Sequence, residues 1–211
     1  MVIGTKKKLA RKKSLAERQA PIVSMEFDRY LIKAGWLNGQ FVARAFPGTG
    51  SRTQGLIAEA RGNTEEAAID ALKELILKRN ESRKGSRRWD GAANAGIPRE
   101  SEFAEALGHI KITEAQATML RTLAVRGDAG MSHDELARAG GYRTPDTATR
   151  NLRVLAVLIA DYLSAASNTK SDANERWNET MLIAEGLQVE GAAKPMLTMH
   201  PELRAAVATS I

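Results

Sequence analysis

The sequence predicts an α+β chain in two parts, a small three-stranded antiparallel sheet with one helix and then a mostly helical domain. Three observations predict it. "FDRYLIKAGWLNGQFVARAF" sets two strand-like runs around Asn38-Gly39, a dipeptide suited to a tight hairpin. "NTEEAAIDALKELILKR" then changes to helical periodicity. Further on, "MSHDELARAGGYRTPDTATRNLRVLAVLIADYL" reads as a short helix, a glycine turn and a longer helix.

Residues 1–24 are a basic flexible arm: Lys6, Lys7, Lys8, Arg11, Lys12, Lys13 and Arg18 stand against Glu17 alone. From about Met25 the strand pattern begins. "PGTGSRTQG" is a turn and "LIAEARG" the third strand. That turn lacks the Gly-Lys-Ser/Thr ending of a phosphate cradle. In the helix that follows, Asn63 or Thr64 can cap, and Glu65 and Glu66 suit the positive end of the dipole. Ala68, Leu72, Leu75 and Ile76 form its apolar stripe. A β-β-β-α domain over 25–79 results.

Residues 80–98, "NESRKGSRRWDGAANAGIP", are a basic linker by composition, expected to be open to protease near Arg83–Arg88. The domain over 99–211 opens with "RESEFAEALGH", whose Phe103, Ala106 and Leu107 share a face. Capping boxes follow at Thr113 with Gln116 and at Ser132 with Glu135, the second helix ending at Gly140 and Gly141. Thr144 then caps a helix with Pro145 at its first position, where a missing N–H has no consequence. After a loop to about Asn178, "TMLIAEGLQVEGAAKPMLTMHPEL" reads as strand, turn, strand and a closing helix from Pro201. A helix-turn-helix followed by a hairpin is a winged helix-turn-helix.

On the helix from Pro145, the positions Ala148, Leu152, Leu155, Ile159 and Leu163 form the core stripe. Asp146, Thr147, Thr149, Arg150, Asn151 and Arg153 lie off it, all near its start. In helix-turn-helix proteins that end of the second helix reaches base edges. Arg matches guanine and Asn matches adenine through paired hydrogen bonds. Arg150 and Asn151 are therefore the candidate groove contacts, Arg143 and Arg153 lie where they would grip the flanking phosphates, and Thr147 is a further nucleic-acid-binding candidate. Arg87 and Arg88 in the linker, with Lys6, Lys7, Lys8, Arg11, Lys12 and Lys13 in the arm, are candidate phosphate contacts. Asp146 and Asp134 oppose that reading, because they would repel phosphate. Val154, Val157 and Leu158 need cover from the hairpin, the last helix or a second subunit, which leaves a homodimer open. Trp89, between Arg88 and Asp90, is placed for a stacking or partner contact.

The formal net charge of +6 is concentrated in the arm and in residues 78–99, so the remaining chain is net acidic. This is the charge map of a body with nucleic-acid-binding arms. Cysteine is absent, which excludes disulfides and thiolate metal sites. No apolar run is long enough for a bilayer span, and the basic N-terminus has no signal-peptide core. A cytoplasmic setting is expected, with no membrane partner. His109, His133 and His200 are scattered, and no nucleophile–base or paired-carboxylate constellation stands out. Neither an enzyme nor a cofactor is expected.

"IPRESEFAEAL", "ITEAQATMLRTLA", "MSHDELARAGGYRTPDTATRNL" and "MHPELRAAV" resemble a helical module of uncharacterised bacterial proteins, similar to one accompanying HNH-type restriction endonucleases. "FVARAFPGT…GLIAEARGNTEEAAIDALKEL" resembles the N-terminal part of the same proteins, so the likeness covers about 25–211. The resemblance implies a DNA-recognition setting by analogy. The HNH nuclease residues are missing. The sheet and helix also resemble double-stranded-RNA-binding domains, but Glu65 and Glu66 stand where those place lysines. An antitoxin-like β-β-β-α scaffold fits no worse. The expectation is a non-enzymatic DNA-binding regulatory or recognition protein. The alternative is a protein-binding adaptor, or a phage-type inhibitor of a defence system, using the same fold to occlude a partner.

Overall fold

An antiparallel sheet of four strands, β1 (Val23–Phe27), β2 (Tyr30–Leu37), β3 (Gln40–Pro47) and β4 (Ala58–Gly62), runs in sequence order across the first part of the chain. The computed structural model describes residues 21–48, 55–91, 95–163, 183–187 and 196–211. The arm lysines and arginines, the turn at 49–54, Trp177 and the turn between the last two strands lie outside them. The chain is mixed α+β and divides into two units, Met1–Ser82 and Arg83–Ile211.

The sequence reading expects three strands where there are four. Asp28 adopts a left-handed φ of 53° and folds one apparent strand into a hairpin, with Phe27 opposite Tyr30. Asp28-Arg29 contains no glycine, so its turn signal is weak beside that of Asn38-Gly39. At the second turn both residues have positive φ, 52° and 88°, and Leu37 faces Gln40.

Alternation along β2 and β3 buries Tyr30, Ile32, Ala34, Ala43 and Ala45 on one face. The small alanines leave room for helix α1 (Glu65–Ser86), which lays Ala68, Ile69, Leu72 and Ile76 into the same core. Thr64 caps it, its Oγ1 accepting from the Ala67 N–H at 3.1 Å. Leu75, expected on the stripe, is 43% exposed, and Ile69 takes its place.

The segment 80–98 is not structureless. The boundary between the units falls inside α1, which continues to Ser86, and β5 (Arg88–Asp90) pairs with β6 (Ala95–Ile97). Ile97 is fully buried. The charges that read as linker composition are partners of acids distant in sequence. Arg87 Nη2 donates to Glu102 Oε1 at 2.7 Å, and Arg83 Nη2 donates to Glu105 Oε2 at 2.5 Å. Arg83 and Arg87 have side chains only 12% and 10% exposed, whereas Lys84 and Arg88 in the same stretch are exposed.

The second unit continues through α2 (Glu100–His109), α3 (Glu114–Arg126), a short 3₁₀ turn (Gly127–Ala129), α4 (His133–Ala139) and α5 (Pro145–Leu163). It ends with β7 (Ile183–Leu187), β8 (Met196–Met199) and α6 (Pro201–Ser210). Its core gathers Phe103, Leu123, Leu136, Leu152, Leu155 and Leu203. β7 pairs antiparallel with β8. Met131, between α3 and α4, bridges onto β8 by exchanging two backbone hydrogen bonds with Leu197, 2.9 and 2.8 Å. The preceding Gly130 has φ 66°, and a Cβ there would meet the Leu197 carbonyl oxygen at 2.5 Å. Only glycine suits that crossing.

At the end of β8, His200 and Glu202 meet Arg88 and Asp90. Burial pushes the His200 imidazole pKa below its ordinary value, Asp90 and Glu202 pulling weakly the other way. The hydrogen bond from Arg88 holds the Glu202 carboxyl below the usual range. Both shifts are depressions, so both groups contribute stability that acid removes. The His200 contribution is complete above about pH 6.5 and fades as pH falls toward the folded value. The Glu202 contribution is complete above about pH 4.3 and fades lower down. Thermal melts across pH 7 to 4 should show the midpoint declining from just below 6.5. His200→Gln should flatten the upper part of that decline and leave the lower part. An unchanged upper part would remove His200 from the account.

Candidate functional site

The start of α5 is built by its cap. Thr144 Oγ1 accepts from the Thr147 N–H at 3.4 Å and lies 2.8 Å from Thr147 Oγ1, with Pro145 at the first helical position. Asp146 in the first turn complements the dipole. The stripe Ala148, Leu152, Leu155, Ile159 and Leu163 is buried as its spacing predicts. Gln116 of α3 fixes the helix in place, its Nε2 donating to the Asn151 carbonyl oxygen at 3.1 Å.

Thr149 departs from the expectation. It is 8% exposed, and its Oγ1 pairs with His133 Nδ1 at 2.9 Å. Thr149 therefore ties the start of α4 to α5. His133 follows the cap Ser132, whose backbone N–H donates to Glu135 and is the main cause holding that carboxyl below its ordinary range.

His133, Pro145, Asp146, Thr149, Arg150 and Arg153 line a cavity of about 450 Å³ between the first residues of the two helices. Two guanidinium groups, an imidazole and one carboxylate thus converge on a concave surface. Arg150 is exposed and Arg153 half-buried. Arg143 and Thr147 are exposed beside the cap, outside the lining. Asn151 is half-buried and spends one amide N–H on its own helix, Nδ2 to the Thr147 carbonyl oxygen at 2.9 Å.

The other candidates separate. Lys6, Lys7, Lys8, Arg11, Lys12 and Lys13 fall outside the described residues. Arg87 is committed to Glu102 and to the Leu163 carbonyl oxygen, 3.0 Å away, and Arg88 to Glu202 at 2.8 Å. Arg87 is buried with its carboxylate, whereas the Arg88 guanidinium is half-exposed and shares its charge with Glu202 and Asp90. His133 and Thr149 were not legible as a pair. Each looks ordinary alone, one as a residue after a cap and the other as a polar helical position. Among the described residues no group of three or more His, Cys, Asp or Glu could hold a metal ion, and no helix is long and apolar enough to cross a membrane.

By fold the chain is a mixed α+β protein with a basic concavity at the start of a long helix. No protein-family model matches it, and no curated protein or solved structure is significantly similar to it.

Proposed function

We propose that the second unit is a winged helix that places the first turns of α5 in a nucleic-acid groove, making this a non-enzymatic DNA-binding recognition protein. One observation carries the reading. α5 is divided into a buried apolar stripe and an exposed, arginine-bearing start that lines a cavity with a residue of the preceding helix. The element order supports it: α3, α4 and α5 follow one another, and Met131 between α3 and α4 bridges to β8 of the strand pair that comes after α5. In winged and plain helix-turn-helix proteins the corresponding helix end meets base edges. Arg150 is then the base-reading residue, Arg153 and Arg143 hold flanking phosphates, and Thr147 lies beside them. The arm lysines and arginines add salt-dependent affinity.

Fluorescence anisotropy with labelled duplexes at several salt concentrations tests this. Arg150→Ala should weaken binding to a preferred duplex by about 1–3 kcal/mol without altering the melting temperature. Equal affinity of variant and wild type for every duplex would remove α5 from the interface.

The adaptor or inhibitor reading draws on a different observation. Val125 is 87% exposed, Trp89 65% and Val154 40%, which is apolar surface a protein partner could bury. Under that reading affinity for duplex would be negligible, and Trp89→Ala rather than Arg150→Ala would abolish binding to the partner.

A further inference from the structure

Resting on the groove reading, we infer that Asp146 is a specificity-determining residue, which with Arg150 selects a G·C base pair. The two side chains lie one helical turn apart, the acid N-terminal to the base, which is the orientation that favours an ion pair along a helix. Among the described residues neither takes part in any ion pair or side-chain hydrogen bond. Both line the same cavity. An acid and a base that could neutralise each other are instead held open toward one space.

A site meant only for phosphate gains nothing from a carboxylate. Asp146 repels the anion that Arg150 would otherwise attract. A base-pair edge is different, because it offers donors and acceptors side by side. In the major groove guanine presents two acceptors, O6 and N7, which match the guanidinium fork of Arg150. Cytosine presents an amino donor at N4, which matches the carboxylate of Asp146. Thymine O4 and the guanine acceptors face a carboxylate with lone pairs only, and are repelled. Adenine offers the amino group but no paired acceptors for Arg150. Only a G·C pair satisfies both residues together.

The test is selection from a pool of duplexes randomised across the bound region, with wild type, Asp146→Asn and Arg150→Ala, sequencing the bound fraction. Wild type should enrich G·C at one position. Asn both donates and accepts, so Asp146→Asn should reduce that enrichment about tenfold while raising affinity for the whole pool. Arg150→Ala should lose the guanine preference. Asp146 is exposed, so thermal melts of the variant should match wild type. If Asp146→Asn retains the wild-type preference, Asp146 serves the helix dipole only and the inference fails while the groove reading stands. If wild type retains no duplex at all, the groove reading fails, and this inference with it.

Discussion

Glu102→Gln is expected to destabilise the second unit by about 3–5 kcal/mol, the usual consequence of removing one charge from a buried ion pair. Glu102 is 4% exposed. It accepts from Arg87 Nε at 3.2 Å and Nη2 at 2.7 Å, and from the Arg99 backbone N–H at 3.0 Å. Arg83 Nε lies 3.6 Å from the same carboxylate. Gln keeps the shape but leaves the Arg87 guanidinium, 10% exposed, without a counter-charge. Arg83 retains Glu105, which also accepts from Tyr162 Oη. Urea unfolding at neutral pH measures the loss. Arg88→Ala is the comparison: its pair with Glu202 is half-exposed on the arginine side, so that loss should stay within about 1 kcal/mol. Similar losses for the two variants would mean that the Glu102 cluster does not hold the unit together.

Leu152→Ala should cost about 2–5 kcal/mol, as a large-to-small change in a packed core. Leu152 is 2% exposed and sits midway along the α5 stripe, with Ala148 and Leu155 buried on either side. Two residues away, Val154 is 40% exposed, and Val154→Ala should fall within about 0.5 kcal/mol. Chemical denaturation of the two variants separates the faces of α5. A small loss at Leu152 together with a large one at Val154 would mean the helix is rotated from the orientation described. The pair also calibrates the binding experiments, since it shows what a folding defect looks like beside Arg150→Ala.

Local signals in the sequence were decisive wherever structure is made by neighbours. Asn38-Gly39 specifies its hairpin because both positions need positive φ. Thr113 with Gln116 and Ser132 with Glu135 make the capping boxes that their spacing implies. The 3.6-residue period of Ala148, Leu152, Leu155, Ile159 and Leu163 identifies the buried face of α5, and by subtraction the exposed Arg150. Signals weaken where the chemistry is less committed. Asp28-Arg29 makes a turn without glycine, so the extra strand stayed hidden.

What the sequence could not determine is which charges are on offer. Arg83, Arg87 and Arg88 read as a basic linker because their partners, Glu102, Glu105 and Glu202, lie 15 to 114 residues along the chain. Composition counts a charge, and only packing shows whether an acid has already claimed it. The same holds for the site. Arg150 could be nominated from periodicity, but His133 and Thr149 meet only because α4 and α5 cross there. Asp146 counted against a nucleic-acid role while it was only a negative charge near a helix start. The cavity it shares with Arg150 turns it into a hydrogen-bond acceptor at a defined place. Periodicity along one helix determines which side chains face outward, while the crossing of two helices decides which of them act together.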